Sequence, residues 1–211
     1  MLIPDLLLNA FVTLIVVVDP VSLVPIFGAL TQQETEAERR RIAIKGVAIA
    51  AAVLVVFTLI GNALLSVLGI SLSAFRVAGG VLLFLLAIDM VLVRDSGLRS
   101  TTVREQAEAA QRQDISVFPL AIPLIGGPGA ITTMLLLNGR SDNLWVTFAL
   151  LGVLMAVLAL ALLSLLLTGR LLKLIGVTGS GVVSRVLGVL LAALAVQFIV
   201  DGLRMSFTQS P

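Results

Sequence analysis

The chain has 211 residues, 59% of them hydrophobic and only 12% charged, with a net charge of +2 and a mean hydropathy of +1.15. No soluble domain of this length carries so apolar a composition. The absence of cysteine and histidine excludes thiol chemistry, metal sites built from thiolate or imidazole, and the usual general base at neutral pH.

The charges are segregated. None lies between Lys45 and Arg76, between Asp114 and Arg140, or between Asp142 and Arg170, and each gap exceeds the roughly 20 residues that cross a bilayer core. The fold class is therefore all-α, a polytopic membrane protein. The amino terminus, MLIPDLLLN, lacks a basic stretch and a small-residue cleavage site, so the first apolar segment is expected to be retained.

In chain order, the first span is expected over about Leu6 to Leu30, with Asp19 as its only charge, just before Pro20. A polar run, TQQETEAERRR, follows, in which Thr31 and Glu34 fit a helix-start signature. Span two is expected over Ile44 to Leu68, a turn over Gly69 to Ser73, and span three from Arg76 to Val93, with Asp89 inside it. Residues 94–114 form the one long polar connector. Span four covers Ile115 to Leu137, span five Leu144 to Thr168, and span six Val182 to Leu203, with GRLLKLIGVTGSG between the last two read as a turn with an amphipathic start.

Spans one and four are broken. VVVDPVSLVPIFGAL and FPLAIPLIGGPGAITT each carry two prolines five residues apart, Pro20 with Pro25 and Pro123 with Pro128. A proline inside a helix removes a donor and clashes with the preceding turn. Irregular backbone at membrane depth persists only where it is buried in protein or lines a wet cavity. Interrupted spans at corresponding places in two halves point to a transporter's binding site.

The halves also match further on, Gly69 with Gly176, Arg76 with Arg185 and Gly79 with Gly188. The division expected is a first three-helix repeat over 1–95, a cytosolic connector over 96–114, and a second, inverted three-helix repeat over 115–211. Lys and Arg concentrate after spans one, three and five (Arg39, Arg40, Arg41 and Lys45; Arg94, Arg99, Arg104 and Arg112; Arg170 and Lys173). That bias places both termini outside the cytosol.

The expected site lies at the two breaks. Gly126, Gly127, Pro128 and Gly129 allow a sharp turn and then start a half-helix. The free amides of Gly129, Ala130 and Ile131 would receive a carboxylate, with Thr132 and Thr133 adding hydroxyls. Asp19 caps a half-helix or meets an ammonium group or cation, with Ser22 beside it. Asp89, an intramembrane carboxylate, and Arg76 and Arg185, at the starts of spans three and six, are candidates for coupling or gating. The bland alternatives are close packing at the breaks, an interfacial Asp89, and snorkelling anchors for the two arginines. Asn9 and Gln197 read as interhelical hydrogen-bonding groups.

DPVSLVPIF, FPLAIPLIGGPGAI, AGGVLLFLLAIDM and RVLGVLLAALAVQFIVDGL together resemble the MarC family of bacterial inner-membrane proteins over nearly the whole chain. The resemblance implies a transporter, and through one branch of the family an exporter of small neutral amino acids such as alanine and glycine. The motif positions it carries over are Asp19, Pro20, Pro25, Pro123, Gly126, Gly127, Pro128 and Gly129.

The reading is thus a secondary transporter of small neutral solutes working by alternating access, not an enzyme. It needs no cofactor and no nucleic acid. Its partners are the lipid bilayer, the solute, and protons or sodium as candidate coupling ions. The alternatives are a drug or metabolite efflux protein and a passive channel. Oligomeric state and transport direction stay open.

Overall fold

The structure, a computed structural model, describes residues 3–92, 114–139 and 143–208. The connector therefore lies outside the described residues except for Asp114. Among the described residues, eight helical elements follow in order. They are α1 (Ile3–Val18), α2 (Pro20–Leu30), α3 (Glu36–Val67), α4 (Leu72–Leu92), α5 (Ser116–Ile125), α6 (Pro128–Asn138), α7 (Leu144–Leu166) and α8 (Thr168–Thr208). Among the described residues, five segments are long and apolar enough to cross a membrane, and α5 with α6, bent by 51° at their junction, makes a sixth. This is a polytopic all-α membrane protein.

The breaks fall where proline dictates, with differences of detail. Span one breaks at Asp19, and Pro20 opens α2 from its first turn, while Pro25 stays inside that helix. Span four is irregular from Ser116 onward. Phe118 and Ile122 have extended backbone, the bonds before Pro119 and Pro123 are cis, and regular helix resumes only at Pro128. The start of α3 is capped by Thr35, whose hydroxyl accepts from the Glu38 amide at 3.3 Å. Thr31 instead closes α2, its hydroxyl donating to the Phe27 carbonyl at 2.7 Å. Arg39 completes that helix end by donating from Nε to the Thr31 carbonyl at 2.9 Å, the usual service of a cation at carbonyl-rich termini. The stretch expected as a turn before span six is helical on both sides of Gly176, which alone breaks it with φ 67°.

The elements recur. Pro20 and Pro128 each head an 11-residue helix, a shift of 108 positions (128 less 20). That pairs Pro20 with Pro128, where the spacing of the prolines had suggested Pro123. Glu36 and Leu144, the first residues of α3 and α7, differ by the same 108. Gly69 and Gly176 are the two glycines in the left-handed region among the described residues, with φ of 68° and 67°. Packing follows the same exchange. α3 lies against α5 and α6, α7 against α1 and α2, α8 against α2, and α4 against α6.

The largest interface joins α4 and α8, which run antiparallel. A methyl group built on Gly80 would come 2.8 Å from the Ala195 carbonyl oxygen and 2.7 Å from Ile199. One built on Gly188 would come 3.1 Å from the Ala87 carbonyl oxygen and 3.0 Å from Val91. Every residue of the second set stands 108 positions from its partner in the first (188 with 80, 195 with 87, 199 with 91). Small residues let helix backbones approach closely where lipid offers no hydrophobic drive to associate.

These two contacts are backbone-limited, so bulk cannot be accommodated by a rotamer change. Gly80→Val and Gly188→Val are each expected to destabilise the fold by about 1–3 kcal/mol or more, read as a lower thermal unfolding midpoint in detergent. Gly152→Ala, where nothing lies within 4 Å, is expected to leave the midpoint unchanged or raise it.

Candidate functional site

Asp19 is the linchpin of the first break. Its backbone is left-handed (φ 45°, ψ 71°), a conformation that Asp and Asn adopt more readily than other side-chain-bearing residues. The residue is fully buried. One carboxylate oxygen accepts from the Ser22 amide at 3.2 Å, capping α2, and the other accepts from the Ser184 hydroxyl of α8 at 3.2 Å. A buried carboxylate needs such partners.

Pro25 has a consequence one turn earlier. In a regular helix its amide would donate to the carbonyl four residues back, that of Val21, and proline has no amide. The vacated acceptor takes a hydrogen bond from the Ser180 hydroxyl of α8 at 3.0 Å. Ser180 and Ser184 stand one helical turn apart, so α8 supplies both donors from one face. Sequence reasoning overlooked both. The available signal was the pair of serines at helical spacing in TGSGVVS, at the start of an otherwise apolar span.

The second break borders a partly open cavity of about 20 Å³, room for about one water, lined by the α6 first turn, the end of α5, Val17 and Leu86. Gly127 caps α6 with extended backbone and no side-chain hydrogen bond. Pro128 needs no partner at the first helical position. The amides of Gly129 and Ala130 precede Ile131, the first to donate back into the helix, at 3.1 Å to the Gly127 carbonyl. Both residues line the cavity, so an uncapped, positively polarised helix end faces it. Gly127 must be glycine because a Cβ would collide with the Pro123 carbonyl oxygen. At Gly129, a Cβ would meet only flexible side-chain ends, Leu86 at 3.0 Å, Leu83 at 3.2 Å and Val17 at 3.4 Å.

Val17 therefore carries the end of α1 onto the first turn of α6, and the two breaks meet there. Of the expected residues, Pro123, Gly127, Pro128, Gly129 and Ala130 line the cavity. Gly126 packs beside it against Ala50. Thr132 turns its methyl group onto Gly79 of α4, and Thr133 is fully buried with no partner for its hydroxyl. Asp19, Pro20, Ser22 and Pro25 form the α1–α2 junction held by α8. The Ser22 hydroxyl is also buried without a partner.

The coupling candidates stand apart from the cavity lining. Asp89 is half-buried in the last turn of α4. Arg76 is buried, its Nη1 donating to the Met205 sulfur at 2.7 Å, while Arg185 is exposed on α8. A shift of 108 pairs Arg76 with Ser184, so the arginines are not structural counterparts.

Among the described residues, five apolar spans and a sixth, bent one, with the two breaks brought together by Val17, define an integral membrane protein built around interrupted helices. The chain belongs to the MarC family, since the profile described as MarC family integral membrane protein matches residues 5–207. It is 36% identical over 197 residues to a UPF0056 membrane protein of Archaeoglobus fulgidus, covering 92% of this chain and 90% of that one. It is 33% identical to UPF0056 membrane protein YvbG of Bacillus subtilis, covering 95% of each chain, and 33% identical to UPF0056 membrane protein YhcE of Escherichia coli, covering 93% and 91%. No solved structure matches the chain.

If Ser180 satisfies the carbonyl that Pro25 leaves open, the two residues are energetically coupled. Ser180→Ala is expected to cost about 0.5–1.5 kcal/mol of stability in detergent. In a Pro25→Ala background, where the amide is restored, the same change should cost markedly less. A double-mutant cycle on unfolding free energies measures the difference.

Proposed function

We propose that this protein is a secondary transporter of small neutral amino acids, alanine and glycine among them, and that the solute carboxylate docks on the amides of Gly129 and Ala130. One observation carries the reading. Asp19 and Gly127 occupy the same place, each immediately before the proline that opens an 11-residue helix. In the first half that place holds a carboxylate, which caps the helix end. In the second it holds a glycine, and a cavity takes the position beside the uncapped end. A solute carboxylate would supply to α6 what Asp19 supplies to α2.

The cavity walls support a small solute. Val17 and Leu86 are among its walls, and the present volume must enlarge to admit even glycine. A compact site between broken helices suits a carrier better than a wide pore. The reciprocal α4–α8 contacts support reading the halves as inverted repeats, which would rock against one another about the site. We infer further that the protein lies in the bacterial inner membrane with both termini outside, on the distribution of Lys and Arg. Protons or sodium are the coupling ions to test, with Asp19 and Asp89 as the carboxylates to vary. The reading is of a carrier and not an enzyme.

Counterflow of labelled alanine in proteoliposomes tests it. Saturable counterflow is expected, and its response to an imposed proton gradient identifies the coupling. Gly129→Ala, which fills the cavity and leaves the amide in place, should reduce it strongly. Alaninamide, which lacks the carboxylate, should compete at least about tenfold less well than alanine, as loss of charge-assisted hydrogen bonds predicts. Absence of counterflow in folded, reconstituted protein would overturn the amino-acid reading, and non-saturable flux without counterflow would favour a channel.

A further inference from the structure

We propose that the Lys45–Asp114 ion pair is a breakable latch that holds α5 against α3 and keeps the cavity narrow, with Asn138 as the fixed point about which the α5–α6 span opens. α5 is a wide-turned, irregular helix. Pro119 and Pro123 remove two amide donors, and Phe118 and Ile122 leave helical geometry. The backbone bonds that flank the segment are Leu120 to the Ile115 carbonyl at 3.3 Å and Gly126 to the Ala121 carbonyl at 2.8 Å. Such a segment takes its position from its neighbours.

The neighbour is one face of α3. Leu120 and the Ser116 carbonyl sit over Gly46, and Gly126 sits against Ala50, one helical turn further on. Next to Gly46 on the same helix, Lys45 pairs with Asp114 immediately ahead of α5. Asp114 also accepts from the Ser116 hydroxyl and, at 3.2 Å, from the Ser116 amide. The Lys45 ammonium above all, then the Ser116 hydroxyl, hold the Asp114 carboxyl below the ordinary carboxylate range. Both partners of the pair are substantially exposed, 49% for Lys45 and 40% for Asp114. An exposed pair adds little to static stability and is screened by salt, which suits a contact that must open repeatedly.

The other end of the span is fastened differently. Asn138, the last residue of α6, donates from Nδ2 to the Thr58 carbonyl of α3 at 2.9 Å and accepts from the Thr147 hydroxyl of α7 at 2.7 Å, and it is only 8% exposed. Buried, neutral and bonded to two helices, it anchors α6. Between anchor and latch lies the cavity, to which α5 contributes Pro123, Leu124 and Ile125. Release at Asp114 would uncover the cavity along α5 without dismantling α6.

The latch takes its purpose from the transport reading. Its test needs no solute, so failure of flux and failure of the latch are separate results. The chain contains no cysteine, so Leu124→Cys places a single thiol in the cavity wall at a position only 4% exposed in this structure. Its rate of alkylation by a small water-soluble maleimide would be measured in nanodiscs. Lys45→Met and Asp114→Asn should each raise the rate by about fivefold, the order expected when an exposed ion pair stops opposing an opening equilibrium. The swap of Lys45→Asp with Asp114→Lys should restore slow labelling. Raising the salt should speed labelling when the native pair is present but not in Lys45→Met. Unchanged rates in both single variants, or an increase that the swap does not reverse, would overturn the latch. Should a variant fail to fold, the salt arm decides on the native pair, with an unresponsive rate counting against the proposal.

Discussion

A backbone amide or carbonyl freed at membrane depth has no water to turn to, and this constraint organises the molecule. Each proline that breaks a span creates such groups. In the first half they are answered from within the protein. Asp19 satisfies the Ser22 amide, and Ser180 of α8 satisfies the carbonyl that Pro25 abandons. That is why α8, which is remote in sequence, is fixed against α2. In the second half the break is left open at the α6 amides, and a cavity stands in front of them.

The contrast gains force from the recurrence of the elements. Two helices of equal length start at proline, two glycines have positive φ, and the two glycine contacts across α4 and α8 exchange under a shift of 108 positions. Against so regular a background, glycine at 127 where the first half has Asp19 is the difference on which the proposed carboxylate-bearing solute rests. Binding there would bring the solute against Val17 and Leu86, both from the first half, with its carboxylate on α6 of the second. One occupant would then touch both halves, as alternating access requires.

Much of this was legible in the sequence, for stated reasons. Span number follows from charge segregation, and the two breaks from Pro20 and Pro128, because hydropathy and proline sterics are local properties. The glycines of GGPG mark the uncapped helix end for the same reason. Register between the halves was harder to read, because prolines at 20, 25, 123 and 128 fit two alignments and only the helix starts distinguish them. The capping threonine was misplaced by one turn, since Thr31 and Thr35 are each followed three residues later by glutamate. Ser180, Ser184, Val17 and Leu86 take their roles from tertiary contact. A serine near a span end and one leucine among many carry no local mark. The glycine-rich stretch around Gly176 was read as one turn because glycine lowers helix propensity; the chain does leave helical geometry at Gly176, but the residues on either side stay helical.

The central claim is contact between a solute carboxylate and the α6 amides. Solid-state NMR of the reconstituted protein, labelled with nitrogen-15 glycine and loaded with alanine carrying carbon-13 at its carboxyl, measures that contact directly. The Gly129 signal is identified by its loss in Gly129→Ala. The account predicts a dipolar coupling that places the carboxyl carbon about 4 Å from the Gly129 nitrogen, the separation a direct hydrogen bond sets. Bound alanine with no coupling to Gly129 would contradict it.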